Sequence, residues 1–534
     1  MKYINRFFAI LFVGLSFTAC STDSLDIEQQ GVLTLSEYET ADDEEVQQFI
    51  AAVYSVLYGD SYQAVLAGEP ASYRAFQYEM NRMGAETANY YAYNESSDAN
   101  TYKYIWSYFY RTCYWCSMII DKLPKNKVAS ESVKNRIIAE ARVIRAIQMM
   151  YLVQLYGNPP LADHVLDGSE GNTPATESWA FIEKELTEAA EMLPSKSGLG
   201  GQAEIGGRMT REAAYAYLGK AQLWEKKYDE AAQTLYNKVI ATGKYALYPD
   251  YNTYNSSKSD FSDENMWEFN FNESSALNKS QEGCFDLACF SPGVSYWFDT
   301  YASVLLSFSM GGSASAQFVD FLAKHDGENS ARYNASVMDV CTASTKGMVT
   351  TPIQECDGYY KMKDVCRAED LVGELPYYYS LRNVAYMRYS EVLLNYAEAV
   401  AMGGTEGAMT GLEALNVVRR RAGLQDAPTL DMNNEEYGVK AEFRAEFFGE
   451  GHRFIDLVRW GDAPKDLADC GKKVYTCNLG TPYPVNEQIT MYFSKDVVSS
   501  NTGGKGFVAG KNELFPIPAS DINHNPSLKQ NPNW

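Results

Sequence analysis

Apolar residues along this chain recur mostly at three- and four-residue spacing, the pattern of amphipathic helices. Asp42 to Leu57 opens the body, with Ala51, Val53, Tyr54 and Leu57 in register. Further helices are predicted over Tyr102 to Leu123, Ser132 to Tyr156 and Trp179 to Leu193. The third of these four ends at Gly157-Asn158-Pro159-Pro160, a strong stop. Thr210 to Glu225 and Tyr228 to Thr242 form a pair. Leu218-Gly219, Tyr228 and Ala231 fall at tetratricopeptide-like spacing, with small residues where two helices would cross. A later helix carries Tyr389, Val392, Leu393, Tyr396, Ala397 and Val400 on one stripe, with Ser390, Glu391, Asn395 and Glu398 on the other side. Its partner carries Leu412, Leu415, Val418 and Ala422 and should end in a left-handed cap at Gly423, with Leu424 supplying the hydrophobic contact. Such hairpins are the units of solenoid-like scaffolds.

Between these hairpins the period weakens. Over residues 244–386 Pro, Gly, Ser and Asn rise, a short strand is predicted at Met266 to Phe271, and helices at Trp297 to Phe308 and Gln317 to Lys324. Residues 462–512 have the same glycine-rich character with short strand candidates. Leu514 to Trp534 carries four prolines and is predicted to run extended along the body. The expected fold class is mainly α: a tetratricopeptide-like helical-hairpin scaffold with an irregular, loop-rich, inserted subdomain.

The first residues read as a targeting signal. Lys2 and Arg6 precede an apolar run from Phe7 to Phe17, too short to span a bilayer and of the length of a signal-peptide core. The run ends at Phe17-Thr18-Ala19-Cys20, so Cys20 is the expected site of lipidation, with Phe17 where a leucine is usual. Several acyl chains on one residue anchor stably, at about 0.8 kcal/mol per buried methylene. Ser21 to Ser24 reads as a polar tether.

Composition narrows the function. The 534 residues carry 46 Lys and Arg against 69 Asp and Glu, a net charge of −23, and loss of Lys2 and Arg6 makes the chain more acidic still. That excludes nucleic acid and electrostatic docking to an anionic membrane, both of which need clustered cations. Forty tyrosines serve helix packing for the most part, but the residue also suits sugar rings and peptides. The four histidines, His164, His325, His452 and His524, never stand at metal-ligand spacing, so no zinc or other metal site is assigned and no cofactor is expected; calcium on oxygen ligands alone stays open, although the sequence has no EF-hand-type loop. Nine cysteines besides Cys20 leave at least one unpaired. Cys113-Tyr-Trp-Cys116 has redox spacing but lies in an aromatic helical pattern and reads as packing. The glycine-rich stretch 198–207 lacks the Lys-Ser/Thr of a phosphate loop and reads as a connector.

A set of motifs runs in order along the chain: Cys20; Glu140-Ala-Arg-Val-Ile-Arg-Ala146 leading to Leu155-Tyr-Gly157; Gly207-Arg-Met-Thr210; and Arg388-Tyr-Ser-Glu391 running to Glu398-Ala399. Asn416-Val-Val-Arg419 to Gly423, Glu450-Gly-His-Arg453-Phe-Ile-Asp456 to Trp460, Pro516-Ile-Pro518, Asn525-Pro-Ser-Leu528 and Gln530-Asn-Pro532 complete the set. In combination and in this order they resemble the SusD/RagB family of outer-membrane nutrient-binding lipoproteins. The resemblance implies four tetratricopeptide-like helix pairs, a variable ligand-facing part, and a SusC-like TonB-dependent transporter as partner, over which the lipoprotein closes as a lid. The expected organisation is a signal peptide at 1–19, a lipidated tether at 20–30, a helical part at 31–243, the ligand-facing subdomain at 244–386 and a second helical part at 387–534.

A glycan platform needs exposed aromatics with amides or carboxylates at the rim. Candidates are Tyr90, Tyr91, Tyr93 and Asn94 in a polar loop, and Tyr296, Trp297 and Asp299 after Ser291-Pro292-Gly293. Trp106 and Trp115 lie on a helix and are expected in the core, whereas Tyr377 to Tyr379 fit either platform or packing. Glu442, Glu446 and Glu450 share one helical face, with Arg419 to Arg421, Arg444, Arg453 and Arg459 near in sequence or in the neighbouring hairpin; they read as a charge lock between helices, not as catalysts. The expected function is capture of a nutrient glycan at the cell exterior, without catalysis. Peptide or other nutrient capture on the same scaffold is the alternative. A surface glycosidase is the third reading, for which the sequence offers no recognised carboxylate pair.

Overall fold

The computed structural model describes residues 35–58, 96–97, 100–199, 207–270, 314–339, 341–342, 358–364, 370–374, 377–380, 382–469, 472–479, 483–484, 491–492, 495–501 and 504–534. The helices there are α1 (Leu35–Thr40), α2 (Glu45–Tyr58), α3 (Asn100–Lys122), α4 (Glu131–Tyr156), α5 (Ala175–Met192), α6 (Arg211–Trp224) and α7 (Tyr228–Lys238). After them come α8 (Ala316–Asp326), α9 (Ala331–Ser336), α10 (Tyr389–Ala401), α11 (Gly411–Arg421), α12 (Val439–Glu446), α13 (Arg453–Trp460), α14 (Ala463–Asp466) and α15 (Ala519–His524). The fold is mainly α, as the hydrophobic period requires.

Each long helix packs on the next: α3 on α4, α4 on α5, α5 on α6, α6 on α7. The next neighbour of α7 is α10, which pairs with α11. The helical array therefore continues across the long segment between them. Close approach at the α6–α7 crossing depends on Gly219: a Cβ there would overlap the Leu235 side chain. The cap expected at Gly423 is present, with φ of +83°, Gly423 N–H bonded to Arg420 O and Leu424 N–H to Arg419 O.

Among the described residues the strands pair in antiparallel twos. β1 (Asn265–Phe269) pairs with β6 (Val384–Arg388), β2 (Val337–Asp339) with β3 (Tyr359–Lys361), and β4 (Leu371–Glu374) with β5 (Tyr377–Ser380). β7 (Lys473–Leu479) pairs with β10 (Lys495–Asn501), and β8 (Tyr483–Pro484) with β9 (Met491–Tyr492). The β1–β6 ribbon closes the irregular segment at the point where the array resumes. Its Trp267 and Phe269 are buried in the main core.

Glu442, Glu446 and Glu450 form the lock the sequence suggests, with partners beyond those near in sequence, although α12 ends at Glu446 and Glu450 stands in the turn after it and not on the same helix. Glu442 meets Arg332 at 2.5 Å and Arg419 at 3.0 Å. Glu446 meets Arg332 at 3.1 Å, Arg388 at 3.0 Å and Arg421. Glu450 takes Lys363 at 2.8 Å and Arg388 at 2.9 Å. Asp326 holds Arg332 from its far side at 2.7 Å, and Glu264 holds Arg388 and Arg421 at 2.8 Å each. Five carboxylates thus face five cations, so the buried charge is balanced. Arg332 on α9 and Glu264 before β1 belong to the irregular segment, so this knot fastens it to the array. A small second core reinforces the junction, where Phe318 of α8 stacks on Phe448 at 3.8 Å.

Arg444, Arg453 and Arg459 stand outside the knot. Arg444 lies over the Phe321 ring, Arg453 pairs with Asp466, and Arg459 pairs with Glu398 and Asp456. Arg420 is exposed and pairs with Glu413 and Asp426.

One buried carboxyl is held against its preference. Burial, with Glu268 and Asp370 nearby, pushes Asp260 up to about 8, although it accepts the Asn383 amide at 3.0 Å. The folded form keeps a proton that the unfolded chain releases near the ordinary aspartate value of 3.8, so Asp260 removes stability as pH rises between these values. Asp260→Asn retains the acceptor oxygen without the charge. The variant is expected to melt above the parent at pH 8, with the gap closing toward pH 4. An equal gap at both pH values would show that ionisation is not the cause.

Candidate functional site

Helix α3 has two faces. Tyr102, Ile105, Phe109, Cys113 and Cys116 point into the core. Lys103, Ser107, Tyr110 and Tyr114, at intervals of four, three and four, line the opposite edge and are exposed or half-buried. Tyr114 is 42% exposed. Trp106 is almost fully buried, as expected of a core residue, yet its edge reaches the same surface, with its ring 4.8 Å from that of Tyr110. Trp115 is half-buried against the core.

The turn after α4 lies across this face. The Tyr110 hydroxyl donates to Pro160 O at 2.7 Å, tying helix to loop. Glu170 shapes the loop by accepting the amides of Asp167 and Gly168, both at 2.9 Å, and Asp167 accepts the Ser169 amide at 2.9 Å. The C-terminal segment runs along the body and makes the other wall, but it is not extended throughout as predicted, since residues 519–524 form α15. Phe515 N–H bonds to Leu155 O, and Asn531 donates to Tyr156 O at 2.9 Å and to Phe515 O at 2.7 Å. Asn525 donates to Glu170 O at 2.7 Å, and Asn172 exchanges two hydrogen bonds with the backbone of Lys529. These clips set α15 beside the loop and bring Ser520, Asp521 and His524 to the rim.

The result is an open cleft of about 620 Å³. Tyr110, Tyr114, Trp106, Pro160 and Leu166 give it an apolar side, and Asp167, Glu170, Asp521, Asn525 and His164 a polar one. Burial opposes ionisation of Glu170, but the amides of Asp167 and Gly168 outweigh it and hold the carboxyl below its ordinary range. The Ser169 hydroxyl and amide likewise hold Asp167 low. Both are therefore acceptors at neutral pH and unsuited to donate a proton. Hydrogen bonding to Asp163 raises His164, and Glu170 adds to that. Burial raises the Tyr110 phenol far above its usual range, so it stays a donor. Flat apolar rings beside fixed acceptors match a pyranose, with its C–H face and its ring of hydroxyls.

A second cavity, of about 110 Å³, lies between α6, α10 and the residues after α12, lined by Lys220, Glu391, Arg388, Glu450 and His452 among others. It is polar and has the size for a few waters, not for a sugar chain. Among the described residues no three His, Cys, Asp or Glu side chains gather as a metal site.

Tyr90, Tyr91, Tyr93, Asn94, Tyr296, Trp297, Asp299 and Cys20 lie outside the described residues. Asn94 stands a few residues upstream of Lys103, so the tyrosine loop leads into the helix that floors the cleft. Tyr377 to Tyr379 form part of β5. Cys113 and Cys116 are free buried thiols in the packing of α3, and burial pushes Cys113 up to about 12. Sequence reasoning missed the cleft. Its one local signal is the polar and tyrosine stripe on α3; the other two walls come from remote segments.

Comparison with known proteins gives a consistent set. A model of the SusD family matches residues 354–534, and a SusD-like model described as starch-binding, associating with outer membrane, matches 32–223. SusD-like protein P25 of Formosa agariphila is 23% identical over 525 residues, covering 90% of this chain and 95% of that protein. A SusD-like protein of Bacteroides ovatus is 22% identical over 568 residues, covering 99% and 98%. Among solved structures, a laminarin-binding SusD-like protein superposes with a TM-score of 0.71 at 22% identity, over 93% of this chain and 100% of that one. Surface glycan-binding protein A from Bacteroides thetaiotaomicron, in complex with laminarihexaose, does so with 0.70 at 18% identity, over 92% and 100%.

Proposed function

Because this chain belongs to the SusD/RagB family, we propose that it is an outer-membrane lipoprotein that captures a nutrient glycan at the cell exterior and passes it to a SusC-like TonB-dependent transporter. The observation that carries this reading is the cleft on α3, where tyrosine rings stand beside fixed carboxylate and amide acceptors. The outer-membrane association in the description of the matching model and the glycan ligands named for two structural neighbours support it. Anchoring would come through Cys20 after removal of residues 1–19. Among the described residues no helix is long and apolar enough to cross a membrane.

Binding without catalysis fits the cleft's electrostatics. Glycoside hydrolysis needs one carboxyl kept protonated as acid, and here Asp167 and Glu170 are both held low. Tyr90, Tyr91, Tyr93 and Asn94, just upstream of α3, would extend the platform, and Tyr296, Trp297 and Asp299 remain candidates for the same surface.

The test is calorimetric titration of residues 21–534 with oligosaccharides and with peptides. Tyr114 is exposed, so Tyr114→Ala leaves the fold intact. It is expected to weaken saccharide binding by about thirtyfold, the loss of a central aromatic contact. Unchanged saccharide binding would move the site off α3. Peptide binding without any saccharide response would replace the glycan by a peptide.

A further inference from the structure

We infer that the cleft takes uncharged saccharides and rejects chains bearing sulfate or uronate groups, an inference that rests on the glycan reading above. The cleft lining holds three carboxylates, Asp167, Glu170 and Asp521, against one lysine, Lys103, which is exposed to solvent. His164 does not tip the balance, because it is bonded to Asp163 at 2.5 Å and faces Glu170 at 3.5 Å. Two of the three carboxylates are held ionised by backbone amides of their own loop. Neither can escape a nearby anion by taking up a proton at neutral pH.

An anionic glycan is bound in a structured site by cations that fork onto its oxygens. Among the described residues no arginine lines this cleft. Arg332 of α9, Arg388 of β6, and Arg419 and Arg421 of α11 are committed to the buried knot. A hydroxyl, by contrast, donates readily to each of the cleft carboxylates.

In water-like surroundings a unit charge about 6 Å from each carboxylate loses roughly threefold in affinity per carboxylate. With Lys103 offsetting one of three, the penalty is at least about tenfold at low salt and shrinks as salt screens it.

The test compares size-matched neutral gluco-oligosaccharides with oligogalacturonate and sulfated galactan oligosaccharides, by calorimetry at low and high ionic strength. The parent chain and the double variant Asp167→Asn, Asp521→Asn are titrated side by side. The expected result is at least tenfold preference for the neutral chain, a preference narrowed by salt and narrowed severalfold in the double variant. Circular dichroism and melting of the variant confirm its fold. Anionic chains bound as tightly as neutral ones, or a preference that the double variant leaves untouched, would overturn the inference and leave glycan capture standing. Absence of binding by every saccharide would instead overturn the glycan reading itself.

Discussion

Glu446→Ala is expected to cost the folded chain about 3–5 kcal/mol, because it removes the carboxylate on which three guanidinium groups converge and leaves them buried and unbalanced. Glu446 is fully buried, as is Arg332 beside it. The urea midpoint of residues 21–534 measures the effect. Arg420→Ala is the control, since its ion pairs with Glu413 and Asp426 are exposed and should be worth no more than about 1 kcal/mol. Equal losses in the two variants would mean that the knot is ornamental. The pH profile gives a second readout. Burial opposes the charge on Glu446, but Arg421, Arg388 and Arg332 outweigh it and bring the carboxyl down to about 2, from an ordinary glutamate value of 4.5. A carboxyl lowered on folding contributes stability that is complete above its unfolded value and is lost as pH falls toward its folded value. Parent stability should fall between pH 4.5 and 2, and the Glu446→Ala variant should show a shallower slope there.

Phe515→Ala is expected to cost about 3–5 kcal/mol as well, by the different route of an emptied core position. Phe515 is 1% exposed, with Tyr102 5.1 Å, Tyr156 5.8 Å and Phe454 6.2 Å from its ring centre. It pins the C-terminal segment, which supplies Asp521 and Asn525 to the cleft. Stability and saccharide affinity should therefore fall together, with amide exchange rising over residues 515–534. Affinity measured well below the melting point and found equal to that of the parent would show that the C-terminal wall takes no part in binding.

The scaffold was legible because it is local. Helices α3, α4, α6, α10 and α11 follow from stripes of apolar residues, and the ends of α4 and α11 follow from Gly157-Asn158-Pro159-Pro160 and Gly423. The charge lock was half legible: Glu442, Glu446 and Glu450 share a face by spacing alone, and Arg419 and Arg421 lie in the adjoining hairpin. Arg332, 110 residues from Glu442, and Glu264, 124 residues from Arg388, carry no local mark of partnership. The cleft was least legible. Tyr110 and Tyr114 look like further packing residues on an aromatic helix. Only the loop ordered by Glu170 and the segment pinned by Phe515 turn that stripe into the floor of a groove. No period along the chain encodes a meeting of three separate segments.

The junction of α7 with α10 bears on how such a chain can change over generations. Everything between these helices leaves and re-enters the array at adjacent points, so its length is nearly free: doubling a flexible loop adds only about 0.6 kcal/mol. Insertions and replacements there can remodel what the protein recognises while the helical frame keeps its register. The freedom has a tether. Any replacement cassette must still deliver an arginine to Glu442 and Glu446, and a carboxylate to Arg388 and Arg421, or it leaves the frame with a buried charge it cannot neutralise.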